Sequence, residues 1–175
     1  MTDSRMRIIA SVGLVLGAVL GIAGTFAPDA ALRGLAWGVD GTALVLAAAL
    51  LMVHHLRLGN DMMAAGYAIF GIGEALIVSG SAVELTASGP VFGAGSALWA
   101  ASLALVSAPK VLPSLVRGFG FIASILFTIV ALQIFAGRAL TPLSSPLPFF
   151  AYPFLAASLL GWAWALLRPS KESSP

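Results

Sequence analysis

Asp40 and Glu74 are the carboxylates set deep inside apolar runs long enough to cross a bilayer, which makes them the chain's leading candidates for chemistry. An acid at membrane depth is expensive enough that it faces protein or water rather than lipid. At about 1.5 Å per residue, Asp40 is expected about 9 Å below the outer end of the second run, and Glu74 about 14 Å below that of the third. Neighbouring antiparallel helices then hold both acids in one half of the membrane. If they face each other they share a proton, because two like charges in a poorly solvated site cannot both ionise. Proton or ion relay is the chemistry to expect. A purely structural role, each acid bonding a backbone carbonyl or a hydroxyl to lock helices, is the plainer alternative.

Other residue types exclude more than they suggest. His54 and His55 are adjacent, so on a helix they point about 100° apart, and no third ligand lies close in sequence. They read as interface positions at the end of the second run, and no metal is expected. The absence of cysteine removes disulfides, thiolate metal sites and cysteine nucleophiles. Serines and threonines have no histidine or lysine partner at helical spacing, so no hydrolase pattern emerges. Neither catalysis nor a cofactor is expected.

The elements that must position the two acids are helices. Hydrophobic residues make up 59% of the 175-residue chain and charged residues 9%, against roughly 25% charged in a soluble domain. Six apolar stretches, Ile8–Phe26, Gly34–Val53, Met62–Val83, Val91–Ala108, Gly118–Gly137 and Phe149–Leu167, each approach the about 20 residues that a span requires. Strands are excluded because lipid cannot satisfy an open sheet edge. The connectors are too short for a soluble domain, so residues 1–175 read as a single all-α transmembrane bundle.

Orientation follows from basic residues in alternate connectors. Arg5, Arg7, Arg57, Lys110, Arg117, Arg168 and Lys171 fall on the side of the termini, and only Arg33 and Arg138 fall opposite. Both termini are therefore expected in the cytoplasm, with Asp29 and Glu84 outside. The first run is too long for a signal-peptide core and is followed by a poor cleavage site, so it reads as a span. The formal charge of +2 is spent on topology and gives no reason to expect nucleic acid.

Small residues allow helices to approach closely in lipid. Gly13, Gly17 and Gly21 form one such stripe, and Gly89, Gly93, Ala97 and Ala101 a second. Trp99, Trp162, Trp164 and Tyr152 are candidate interface anchors, with Trp99 deep for that role. Pro142, Pro146, Pro148 and Pro153 stiffen the last far-side connector and delay the sixth helix.

Gly59-Asn60-Asp61 followed by Tyr67-Ala-Ile-Phe70-Gly71 resembles the third-helix signature of the acetate uptake transporter (acetate/succinate permease) family. In that family a Gly-Asn-Thr turn leads to Phe-Thr-Ser-Tyr-Gly at the same spacing. Leu98-Trp99, with Lys110 at the end of the same helix, is also similar. The resemblance covers Gly59–Lys110; beyond it only the six-span layout agrees. The family's N-terminal Asn-Pro-Ala-Pro-Leu-Gly-Leu motif is absent, and Glu74 stands where the family usually has tryptophan.

The resemblance implies hexamers of six-helix protomers, each with its own narrow pore. Tyr67, Phe70 and Trp99 would line the constriction, and Asn60 would hold the turn into the third helix. Urea and amide channels share that layout. The expected function is a channel or proton-linked transporter for a small polar solute, foremost a short monocarboxylate such as acetate. A urea/amide-type channel and a non-transporting accessory membrane protein are the alternatives. An anion beside two carboxylates is electrostatically awkward, so an acid must be protonated or the solute must travel uncharged. The expected setting is multi-pass in a cell membrane, the bacterial inner membrane, with lipid, solute and further copies of the chain as partners.

Overall fold

A computed structural model describes residues 3–81, 85 and 87–168; Glu84 and Lys171, used above for orientation, lie outside the described residues. The helices are α1 (Asp3–Thr25), α2 (Ala30–Arg57), α3 (Asp61–Ser81), α4 (Gly89–Ser107), α5 (Ser114–Phe135) and α6 (Tyr152–Leu167). A single 3-10 turn, Phe149–Ala151, leads into α6. Among the described residues there is no strand, and all six helical segments are long and apolar enough to cross a membrane.

Several helices outrun the apolar stretches expected for them. Their backbone hydrogen bonding continues past the last apolar residue until a cap stops it. The longest, α2, starts at Ala30 because the Asp29 side chain accepts the Leu32 N–H at 2.8 Å. It ends where Gly59 takes φ +70°, letting the Asn60 N–H reach back to His55 O at 2.9 Å. Gly137, at φ +89°, ends α5 likewise, with Arg138 N–H bonded to Gln133 O at 2.9 Å.

Each helix packs against its sequence neighbours, and α6 returns to α1, so the six form a closed ring. The six described helices put the start of α1 and the end of α6 at one end of this ring. There the Arg7 guanidinium donates to the carbonyls of Leu166 and Arg168, binding the start of α1 to the open end of α6. Arg117 does the same for α4, donating to Ser107 O at 2.7 Å and Ala108 O at 3.0 Å. Both arginines thus satisfy helix C-terminal carbonyls that would otherwise lack partners.

The centre of the ring is filled by aromatic side chains. The backbones of α3 and α6 do not approach each other across the axis. Tyr67 and Phe70 of α3 nevertheless meet Trp162 of α6, with ring centroids 5.1 and 5.7 Å away and planes nearly perpendicular. Trp99 continues the layer, 6.3 Å from Phe70 and 5.1 Å from Phe127. Edge-to-face pairs at these separations attract beyond the area they bury. The outside of the ring carries exposed Val12, Val19, Ile125 and Leu132, an apolar exterior suited to lipid.

Gly13, Gly17 and Gly21 all face α2. A Cβ on Gly13 would stand 2.7 Å from Ala43 O, and one on Gly17 would overlap the Leu44 side chain. Gly17→Leu should therefore separate α1 from α2 and lower stability by about 1–3 kcal/mol, the usual cost of overpacking. Thermal unfolding in detergent reads this directly, and an unchanged midpoint would make the stripe incidental. The second stripe does not form one seam. Gly93 packs on Ile134 of α5, whereas Ala101 is exposed. The glycine of α4 that touches α3 is Gly95, outside the expected stripe, where a Cβ would lie 3.1 Å from Gly73 O.

Of the tryptophans considered as interface anchors, Trp162 departs from expectation. Trp99 and Trp162 are core residues, while Trp164 is exposed with the Arg168 guanidinium 3.4 Å from its ring centroid. Positions two apart on a helix point about 200° apart, so α6 turns Trp162 inward and Trp164 outward.

Candidate functional site

The half of the ring away from the termini encloses a cavity of about 70 Å³. A single water needs about 10–15 Å³ on this measure, so the space suits several waters or one small solute. Its walls come from α1, α2, α3, α4 and α6, and Leu85, Ser88 and Pro142 of the far-end connectors also line it. The Tyr152 hydroxyl donates to Pro142 O at 3.0 Å, holding the long connector between α5 and α6 over the cavity. Asp40 and Glu74 both line it.

Three consecutive helices seat these acids by one repeated device. A Cβ on Gly21 of α1 would come 2.9 Å from Asp40 Oδ2, so the third glycine of the α1 stripe makes room for a carboxyl group. On α2 the residue after Asp40 is Gly41, where a Cβ would come 3.1 Å from Glu74 Oε1. On α3 the residue before Glu74 is Gly73, where a Cβ would meet Trp99 Cδ1 at 3.2 Å. Gly21, Asp40-Gly41, Gly73-Glu74 and Trp99 thus form a staircase around the ring. Each large side chain rests on the bare backbone of the preceding helix.

Both acids are enclosed, Asp40 with 8% of its surface exposed and Glu74 with 2%. They lie within electrostatic reach of each other and of Tyr152. Trp99 brings its indole alongside Glu74 without the alignment of a hydrogen bond. Asp40 Oδ1 and Glu74 Oε2 have no hydrogen-bond partner among the described residues. The polar atoms nearby are used among themselves: Gly21 O accepts from Thr25 Oγ1 at 3.0 Å and from Trp37 Nε1 at 3.2 Å. Asp40 stands ten residues into α2, about 15 Å from its start rather than the 9 Å expected, because the helix begins four residues early.

The residues suggested by the family resemblance are divided between three places. Trp99 lines the cavity floor and joins the aromatic layer beneath it. Tyr67 and Phe70 are buried in that layer, 2% and 0% exposed, and neither lines the cavity. Asn60 lies at the terminal end, where its N–H bonds His55 O and its C=O accepts the Ala64 N–H at 3.0 Å.

The two histidines separate in role. His54 Nδ1 is 3.1 Å from Asp3 Oδ1. His55 is buried with its ring stacked 5.2 Å from Tyr67, rather than at an interface. Among the described residues no group of three or more side chains could hold a metal ion. Trp37, Phe92 and Tyr152 are wall residues that the sequence did not single out for this site. A signal for the acids' seats was present, since each acid is next to a glycine within an apolar run.

The chain matches no family model, no curated protein and no solved structure.

Proposed function

We propose that this protein is a membrane transporter or channel for a small polar solute, with Asp40 and Glu74 as a proton site. The observation that carries the reading is that both acids line one cavity with no basic side chain on its walls among the described residues. Intramembrane carboxylates without a structural cation mark proton or solute pathways. With the terminal end read as cytoplasmic from its bias of basic residues, the cavity belongs to the outer half of the membrane in this reading. Beneath it the aromatic layer closes the axis, so passage requires that layer to rearrange. A short monocarboxylate, the solute that the family resemblance implies, enters such a site as the neutral acid and brings its own proton. The two carboxyl groups also accept hydrogen bonds from an uncharged amide or urea, which keeps that solute class as the second reading.

Reconstitution tests this. Proteoliposomes with an inward proton gradient should take up a labelled solute, or protons followed by an entrapped dye, and Asp40→Asn/Glu74→Gln should abolish the gradient dependence. Absence of acetate, urea and proton flux in the intact protein would favour an accessory membrane role.

A further inference from the structure

The charge balance and the walls of the cavity together identify a class of occupant. Among the described residues no Lys, Arg or His lines the cavity. Taken by element, α1 contributes no titratable group, α2 Asp40, α3 Glu74, α4 none, and α6 the Tyr152 phenol. Arg33, whose guanidinium lies 6.0 Å from the Trp37 ring, stays outside it. Buried charge is normally paired, so the two acids are neutralised either by protons or by a cation that enters from outside.

Two further observations point to the cation. Asp40 and Glu74 both line the cavity and are both more than nine-tenths buried, and each has one carboxyl oxygen without a hydrogen-bond partner among the described residues. Trp37, Phe92, Trp99 and Tyr152 supply aromatic walls to the same space. Aromatic faces attract organic cations within about 6 Å of the ring, and most strongly where water is excluded. A hard metal ion would need about six oxygen ligands, which these mainly apolar walls do not offer.

We infer that the cavity binds a small alkylammonium cation, which displaces a proton held by Asp40 and Glu74. The inference rests on the reading of these acids as a proton site and names a solute class different from the monocarboxylate and the urea or amide proposed above. Charge balances in the exchange: one ammonium enters, one proton leaves, and no bond to carbon changes.

The test uses the full-length protein in detergent, titrated with tetramethylammonium and propylammonium across a pH series. Emission from Trp37 and Trp99 reports occupancy, and calorimetry in buffers of different ionisation heat counts released protons. One-for-one exchange should tighten the apparent Kd about tenfold per unit rise in pH while the acids hold their proton. Glu74→Gln should weaken binding at least about tenfold, since it removes one of the two carboxyl groups that can carry the counter-charge, and Asp40→Asn/Glu74→Gln should abolish proton release. Acetate and 1-butanol, an anion and a neutral molecule of similar size, should leave the emission unchanged.

Failure of either ammonium to bind at the alkaline end, binding that ignores pH, or equal binding of 1-butanol would overturn the inference. If Glu74→Gln does not fold, the pH slope and proton count of the natural protein decide alone. Tryptophan emission that follows pH but ignores ammonium retains the proton site and removes the cation. Emission indifferent to both removes the two together.

Discussion

Trp162→Ala should cost about 3–5 kcal/mol of stability, the range for truncating a buried aromatic, and should turn the closed axis into a leak. Trp162 is 1% exposed and is the residue of α6 that Tyr67 and Phe70 touch across the ring. The backbones of α3 and α6 do not approach each other there, so no main chain can move in cheaply to fill the space. The indole Nε1 makes no hydrogen bond among the described residues. Its loss therefore leaves no polar group stranded, and the cost is packing and cavity alone. Thermal unfolding in detergent gives the stability, and release of urea from loaded vesicles gives the leak. Trp162→Phe should restore most of both. A Trp162→Ala protein with its midpoint unchanged and its vesicles tight would show that the aromatic layer does not seal the axis.

The helices were legible because a bilayer demands uninterrupted apolar runs and allows the backbone few other ways to satisfy itself. Their ends were less legible. Lipid thickness sets how far an apolar run must extend, but caps such as Asp29, Gly59 and Gly137 set where the helix stops. The aromatic layer shows another kind of limit. The i, i+3 spacing of Tyr67 and Phe70 places them on one face of α3. That the face is plugged by Trp162 depends on how the chain closes from α6 back to α1, and no local pattern encodes that closure. His55 follows the same logic: its burial comes from a stacking partner on the next helix.

The acids were legible for the opposite reason. In lipid a carboxylate is conspicuous wherever it falls. Their seats were only half legible, since glycines in apolar helices are common and serve packing almost everywhere. Gly13 and Gly17 do serve packing, against Ala43 and Leu44. Gly21 continues the same close approach but spends it on the Asp40 carboxyl group, and Gly41 makes room for Val78 as well as for the Glu74 carboxyl group. Side-chain identity on the facing helix separates the two uses, and the sequence of one helix does not contain it.

On the proposed reading of this protein as a proton-linked transporter, Glu74→Gln should flatten the pH dependence of transport while leaving the fold intact. The glutamine keeps the shape that fits against Gly41 and an acceptor oxygen, but it cannot take up or release a proton. In the natural protein the two acids share one low-dielectric space, so ionising both is penalised by desolvation and by their mutual repulsion. On the monocarboxylate reading, uptake that needs a protonated pair should rise as external pH falls, the opposite sign to the cation exchange inferred above. With Glu74 replaced, the repulsion is gone and one titrating group remains, so the rise should be lost or moved to lower pH. Asp40→Asn should act in the same direction. On the proposed reading of the two side chains as one proton site, the double variant should be little worse than either single one, the non-additivity expected of groups in direct interaction. Proteoliposome uptake of a solute that the natural protein carries, measured across a pH series for all four proteins, decides the matter. Profiles that coincide would leave Glu74 a packing residue seated on Gly41, and strictly additive losses would mean that the acids act separately.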